Sequence, residues 1–298
     1  MDGLILIDKP VNISSFDVVR QVRRLAGTRK AGHGGTLDPF ASGLLPVALG
    51  NATRLLEYLL DADKTYRATM RLGQETDTQD RTGQVVAEHG VPADVAERLP
   101  RVVRQFTGRI EQVPPMFSAL KKDGVPLYRL ARRGEDVDRE PRGVRVERME
   151  VLEINGIDVC FEVTCSKGTY VRTLAHDIGQ ALGCGAHLTA LRRTGTGSFR
   201  IEDAVRFEEL LEGGRPVLEA HLLPPLDTMS GYRQIAISDS EARLVVNGQL
   251  PNALAERLTE EDAAGPVCLV AEQRLLAVAD RRRKAPKNWG LEKVFNKS

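Results

Sequence analysis

Gly32-His33-Gly34-Gly35-Thr36-Leu37-Asp38-Pro39-Phe40-Ala41-Ser42-Gly43-Leu44-Leu45-Pro46-Val47 places a glycine-rich loop, one acid and an apolar run within sixteen residues. Gly32, Gly34 and Gly35 permit backbone angles closed to other residues, and Pro39 disfavours the helical region at Asp38. The carboxylate therefore belongs on a turning or extended backbone, where function tends to collect. The same residues would also make a structural turn before a buried strand over Gly43–Leu49, so the stretch alone leaves its chemistry open.

Upstream, residues 3 to 7 form an apolar strand closed by Asp8-Lys9-Pro10. Ser14 followed by Asp17 is a capping box, and Phe16, Val19, Val22 and Leu25 give a helix an apolar stripe, with Arg20, Arg23 and Arg24 on the other face. Downstream, Thr53–Leu60 reads as a helix buried through its leucines. Residues 64 to 72 alternate strictly: Tyr66, Ala68, Met70 and Leu72 share one face of a strand, Thr65, Arg67, Thr69 and Arg71 the other. Tyr66 thus points inward, as a core phenol or a site residue.

Residues 73 to 90 are polar and turn-rich, and 92 to 106 are helical in pattern around Pro100. The segment 108 to 142 is aromatic and basic with no long periodic element, as in a loop that closes over a ligand or a basic surface excursion. Two strands meet at Asn155-Gly156 over 143 to 165, a hairpin signal. Ser166-Lys167-Gly168-Thr169 then opens a helix whose stripe is Val171, Leu174, Ala175, Ile178 and Leu182. Arg172 lies off that stripe in the first turn, where a cation opposes the helix dipole unless an anion compensates it. Residues 186 to 193 form a short apolar segment before a Gly195-Thr196-Gly197 turn, and a helix follows over Glu202–Leu211. Leu222–Thr228, with Pro224 and Pro225, connects to a β-rich unit with strands at 233 to 237, 267 to 271 and 275 to 279.

The 298 residues are 42% hydrophobic and 28% charged, with 42 basic against 41 acidic side chains. Bulk charge neither demands nor excludes a nucleic acid, but the basic residues cluster at 20 to 30, 121 to 142 and Arg281-Arg282-Arg283-Lys284. There is no apolar run of ~18 residues to span a membrane, and Met1-Asp2-Gly3 lacks the basic opening of a secretory signal, which predicts a cytoplasmic protein. The four cysteines are too few and scattered for a disulfide framework or a four-ligand zinc site, and the five histidines include no His-x-x-x-His pair, so no metal is expected.

Six motifs in this order resemble the TruB family of tRNA pseudouridine synthases. They are Asp8-Lys9-Pro10; Gly32-His33-Gly34-Gly35-Thr36-Leu37-Asp38-Pro39; Lys64 with Tyr66-Arg67; Arg71-Leu72-Gly73 with Thr76-Asp77; Pro114 with Met116-Phe117-Ser118-Ala119-Leu120-Lys121; and Ser166 to Arg172. Gly34 stands where the family pattern has threonine. The resemblance implies an α+β fold with a central, mostly antiparallel sheet in a catalytic domain over 1–229, an RNA-gripping insertion near 108–142, and a small PUA-like RNA-binding domain over 230–298. It assigns the catalytic carboxylate to Asp38, the active-site aromatic to Tyr66 and the carboxylate's basic partner to Arg172. His33 is placed against the RNA loop and Leu191 near the bound base, with Lys9, Lys64, Arg129, Arg132 and Arg133 as further RNA contacts.

The implied substrate is the T arm of tRNA and the implied reaction the isomerisation of uridine 55 to pseudouridine, with no cofactor, no guide RNA and a monomeric enzyme. The C1′–N1 bond breaks, the uracil turns while bound, and C1′–C5 forms. An ionised carboxylate can attack C1′ or C6, and a guanidinium in reach favours its charged form. Tyr66 can stack on the base and take a proton from C2′ or C5; the residues do not choose among these routes. The target base must first leave its stack, which an open RNA loop makes easier. Three rival readings remain open: a tRNA-folding protein without chemistry, a subunit of an RNA-guided synthase, and an aspartate-dependent glycosidic hydrolase using Asp77 or Asp80 as second acid.

Overall fold

The computed structural model describes residues 1–260, 265–282 and 285–295; Arg283 and Lys284 of the late basic run lie outside the described residues. A nearly continuous apolar run forms β1 (Gly3–Lys9). Ser14 caps α1 (Ser15–Ala26): its hydroxyl accepts the Asp17 amide at 3.1 Å, and Asp17 accepts the Ser14 amide in return. The helix buries Ser15, Val18, Val19, Val22 and Ala26. Phe16, expected on that stripe, lies a 100° step from Ser15 and is 62% exposed.

β2 (Ala31–His33) and β3 (Ser42–Leu49) bracket the glycine-rich loop. Where the sequence predicts one helix, a 3-10 segment over Gly50–Leu55 leads into α2 (Leu56–Asp61). β4 (Lys64–Leu72) begins and ends where the alternation does. The polar segment after it is a hairpin, β5 (Gln74–Thr76) and β6 (Val85–Glu88), and α3 (Val95–Gln105) keeps Pro100 within it. The next stretch holds β7 (Gly108–Gln112), β8 (Lys121–Lys122), β9 (Val125–Pro126) and α4 (Leu127–Ala131). The long hairpin follows as β10 (Arg142–Asn155) and β11 (Asp158–Cys165), then α5 (Val171–Leu182). β7 pairs with the start of β10, Arg142 opposite Gln112, so the excursion from the sheet is residues 113 to 141.

β12 (Ala186–Thr196) is an eleven-residue strand, longer than the short segment read from the sequence. β13 (Phe199–Arg200) and β14 (Val205–Arg206) precede α6 (Phe207–Ala220), which breaks its helical backbone at Gly214. The main sheet has ten strands, in the order β14-β1-β3-β12-β4-β11-β10-β7 with β2 on β3 and β13 on β12. All its pairings are antiparallel except β1 with β14 and β3 with β12. Its core combines Ile5, Val47, Met70 and Phe161 with Val22 of α1, Leu99 of α3, Ile178 of α5 and Leu210 of α6. On the other face Leu4, Leu6, Leu44 and Ala48 are covered by Ala52, Leu59 and Phe199. Burial on both faces explains why β1 and β3 read as apolar runs without alternation.

The last unit has a separate four-stranded sheet of β15 (Arg233–Ala236), β16 (Val267–Ala271), β17 (Arg274–Arg282) and β18 (Ala285–Val294). Helices α7 (Asp239–Val246) and α8 (Asn252–Glu260) add to it, and it has its own core around Val245, Leu258, Leu269 and Ala277. It joins the rest through Tyr58, Met229, Leu275 and Phe295, with the Tyr58 and Tyr232 rings edge to face at 5.4 Å. Among the described residues no helix is long and apolar enough to cross a membrane.

β3 and β12 cross closely at Gly43, whose φ is +105° and where a Cβ would sit 2.2 Å from the Arg193 carbonyl oxygen. Gly43→Ala is therefore expected to cost about 3 kcal/mol or more. Gly156→Ala, at φ +60° with open space around it, should cost about 1–2 kcal/mol. Urea unfolding of both variants checks the difference; equal midpoints would show that the crossing yields.

Candidate active site

Asp38 is presented by a loop pinned from two sides. Ser15, at the start of α1 and buried, accepts the Leu37 amide at 2.8 Å and donates to the Leu37 carbonyl at 3.0 Å. From β12, the buried Arg193 donates Nε to the Leu44 carbonyl at 2.6 Å and Nη2 to the Gly35 carbonyl at 3.1 Å, on either side of Asp38. The Asn12 amide holds the Pro39 carbonyl at 2.6 Å. These bonds fix the backbone on either side of the acid without engaging its carboxylate.

Arg172, only 4% exposed in the first turn of α5, meets Asp38 Oδ2 through Nε at 3.0 Å. Its Nη1 lies 3.3 Å from Asp80 Oδ2 and donates to the Thr78 carbonyl at 2.9 Å. Nη2 donates to the Phe117 carbonyl at 2.9 Å, which ties the 113 to 141 excursion to the site. The anion that this helix start calls for is present twice over. Asp80 is itself held by the Thr78 hydroxyl at 2.9 Å and by the amide and hydroxyl of Thr82 at 2.9 and 2.5 Å.

These groups line a cleft of about 970 Å³ together with His33, Lys64, Tyr66, Phe117, Tyr170, Leu191 and Arg193. Burial pushes the Asp38 carboxyl above its ordinary pKa; Arg172 and Lys9 pull it down, Asp80 pushes it up. Burial raises the Tyr66 phenol, and the Arg193 guanidinium, whose residue is its direct partner across β4 and β12, opposes that. His33 is lowered by burial and by Arg193, which favours a neutral imidazole. The cleft therefore holds a fixed carboxylate–guanidinium–carboxylate bridge, a protonated phenol and an apolar wall at Leu191.

The other expected contacts divide. Arg132 lines the cleft and lies over the Tyr128 ring at 5.7 Å, whereas Arg129 and Arg133 are exposed beyond the lining. Lys9 is fully buried and donates to the Pro10 and Ile13 carbonyls at 2.8 and 2.9 Å. Lys64 donates to the carbonyls of Leu59, Leu60 and Ala62, closing the end of α2. Both ammonium groups, placed by the resemblance among the RNA contacts, are bonded to backbone carbonyls, and Lys64 also lines the cleft. Arg193 has no role in the sequence reading, and Asp80 enters it only as a possible second acid of a hydrolase, not as a partner of Arg172. Asp80 sits in a polar turn that resembles solvent-exposed turns, and its signal is the flanking Thr76, Thr78 and Thr82, whose hydroxyls all bond to it.

A family model described as TruB family pseudouridylate synthase (N terminal domain) matches residues 23–171. The chain belongs to the TruB family of pseudouridylate synthases. A second model, tRNA pseudouridylate synthase B C-terminal domain, matches residues 172–229, so Asp38 and Tyr66 fall in one matched region and Arg172 opens the next. A protein named tRNA pseudouridine synthase B from Burkholderia lata is 51% identical over 84% of this chain and 77% of its own length. Its namesake from Geobacter sulfurreducens is 49% identical over 84% and 83%. Among solved structures, a Cbf5-Nop10-Gar1 complex matches 98% of this chain and 84% of its own at 30% identity and TM-score 0.72. An H/ACA RNP bound to a substrate RNA containing 2′-deoxyuridine matches 99% and 85% at 28% and 0.70.

If Asp38 works ionised, activity fades as pH falls through its raised pKa. Arg172→Met removes the charge that lowers that pKa, so the acid limb of the pH–rate profile moves to higher pH and the rate falls about 10²-fold or more. Asp80→Asn removes a charge that raises it, so the limb moves to lower pH, again with a slower rate. Single-turnover rates across pH 5 to about 8 test both signs; shifts in the same direction would show that Arg172 does not set the Asp38 charge.

Proposed function

We propose that this TruB-type synthase converts uridine 55 in the T loop of tRNA to pseudouridine, acting as a monomer in the cytoplasm without guide RNA or cofactor. The observation that carries the reading is the Asp38–Arg172–Asp80 bridge at the floor of a cleft that also holds Tyr66 and Leu191. In this reading the flipped uracil stacks on the phenol ring with Leu191 beside it, and Asp38, Tyr66 and Leu191 line the same cleft.

The reaction is an isomerisation in which C1′–N1 breaks, C1′–C5 forms, and the proton on C5 is given up while N1 gains one. Asp38 acts as the nucleophile that holds sugar or base between the two bond changes, and Arg172 keeps it ionised and oriented. Tyr66, kept protonated by burial, stacks on the base and relays a proton once Arg193 has eased its ionisation. Unstacking the target costs a few kcal/mol, which phosphate contacts outside the cleft offset. The 113 to 141 excursion, tethered by the Phe117 carbonyl and carrying Arg129, Arg132 and Arg133 at its outer face, is suited to grip the loop. The last unit serves as a PUA-like RNA-binding domain.

Incubation with an unmodified tRNA transcript and mapping of the T loop should show one pseudouridine with the native chain. Asp38→Asn should lower its formation at least about 10⁴-fold, as loss of a covalent nucleophile does. Equal binding by both proteins with no base changed by either would leave an RNA-folding protein, and release of free uracil would leave a hydrolase.

A further inference from the structure

The cleft does not account for the far end of α1. There Arg20, Arg23, Arg24 and Arg29 line an open groove of about 540 Å³ on the surface. Arg20 pairs with Asp17 at 2.8 Å, both side chains well exposed, while Arg23, Arg24 and Arg29 have no carboxylate partner among the described residues. Arginines in a last helical turn suit the helix dipole, but that needs one charge, not three unpaired ones around one concavity. Such a cluster repels itself and attracts a polyanion.

The groove is joined to the active site at both ends of its sequence. Phe16, 62% exposed, lines the catalytic cleft from the first turn of α1, and Arg20, Arg23 and Arg24 follow it at helical spacing on the exposed face. Arg29 leads through Lys30 into β2, whose His33 again lines the cleft. From Phe16 to Gly27 the helix advances eleven residues, roughly 16 Å. Measured along α1, the groove therefore lies on the order of 16 Å from the cleft mouth.

Resting on the reading that an RNA loop enters the cleft, we infer that this arginine groove binds the phosphodiester backbone of the helical stem carrying that loop. Phe16 marks where loop gives way to stem, and the guanidinium groups fix the stem's direction without reading its sequence, as backbone contacts do. Arginine forks match phosphate oxygens in pairs.

The test compares the full-length protein with R23Q/R24Q/R29Q and R23K/R24K/R29K, titrated with an unmodified tRNA transcript and with a single-stranded oligonucleotide of the loop alone, across salt concentrations. The glutamine variant should bind tRNA at least about 10-fold more weakly and lose about 2 to 3 from the slope of log K against log salt. The lysine variant should keep most of the slope, and all three proteins should bind the oligonucleotide alike. An unchanged tRNA slope, or equal losses on both RNAs, overturns the assignment. Pseudouridine formation by the native protein is scored separately. A slope that changes without native product means that the catalytic reading fails and the groove stands; product with an unchanged slope means the reverse.

Discussion

The guanidinium of Arg172 sits between two carboxylates, and much of the site depends on that arrangement. Its planar fork satisfies acceptors from three chain segments that are otherwise unrelated: the loop at 38, the turn at 78 to 80 and the excursion at 117. A lysine could neutralise one of these groups but not span them. Breaking a buried pair by deleting one partner commonly costs about 3–5 kcal/mol, because the remaining charge is left unpaired. The bridge is therefore structural and electrostatic at once: the contact that favours the charged form of Asp38 also ties the sheet to the 113 to 141 excursion.

The positions of Ser15 and Arg193 follow the same economy. Each uses side-chain bonds to fix backbone beside Asp38, leaving the carboxylate free except for Arg172. In the proposed role of Asp38 the carboxylate needs a defined direction, yet its lone pairs cannot all be taken up by donors. Placing the restraints on Gly35, Leu37 and Leu44 answers both demands, and it explains the positive φ at Gly35 and Gly43, where the loop leaves and rejoins the sheet.

What the sequence makes legible is local. Alternation over 64 to 72, the Ser14–Asp17 box and the missing anion beside Arg172 each depend on residues within a few positions, and the structure has all three. Partners far apart in the chain are not legible that way: nothing near Asp80 says that a guanidinium ninety-two residues later will cover it. β12 is shortened in the reading because register shifts after Leu188 and Arg193 interrupt its alternation. Lys9 and Lys64 show the limit most clearly, since a lysine beside a motif looks the same whether it turns to phosphate or to carbonyl oxygen.

Those two lysines also reveal how the cleft is charged. Burial lowers each to about 8, below the ordinary 10.5, with Arg193 adding to the shift. The folded pKa lies under the unfolded one, so holding the proton costs the fold roughly 3 kcal/mol per lysine at pH 7, relieved only as pH rises past about 8. At pH 7 about nine in ten of each remain charged. Lys9 acts with Arg172 to draw the Asp38 carboxyl down, whereas the carboxylates that act on Lys64 are Asp61 and Asp63. What the fold gains from each buried cation is a set of bonds to backbone carbonyls, those of Pro10 and Ile13 for Lys9 and those of Leu59, Leu60 and Ala62 for Lys64. The retained charge has one visible effect in the site: Lys9, with Arg172, favours the ionised form of Asp38 against the burial that raises it.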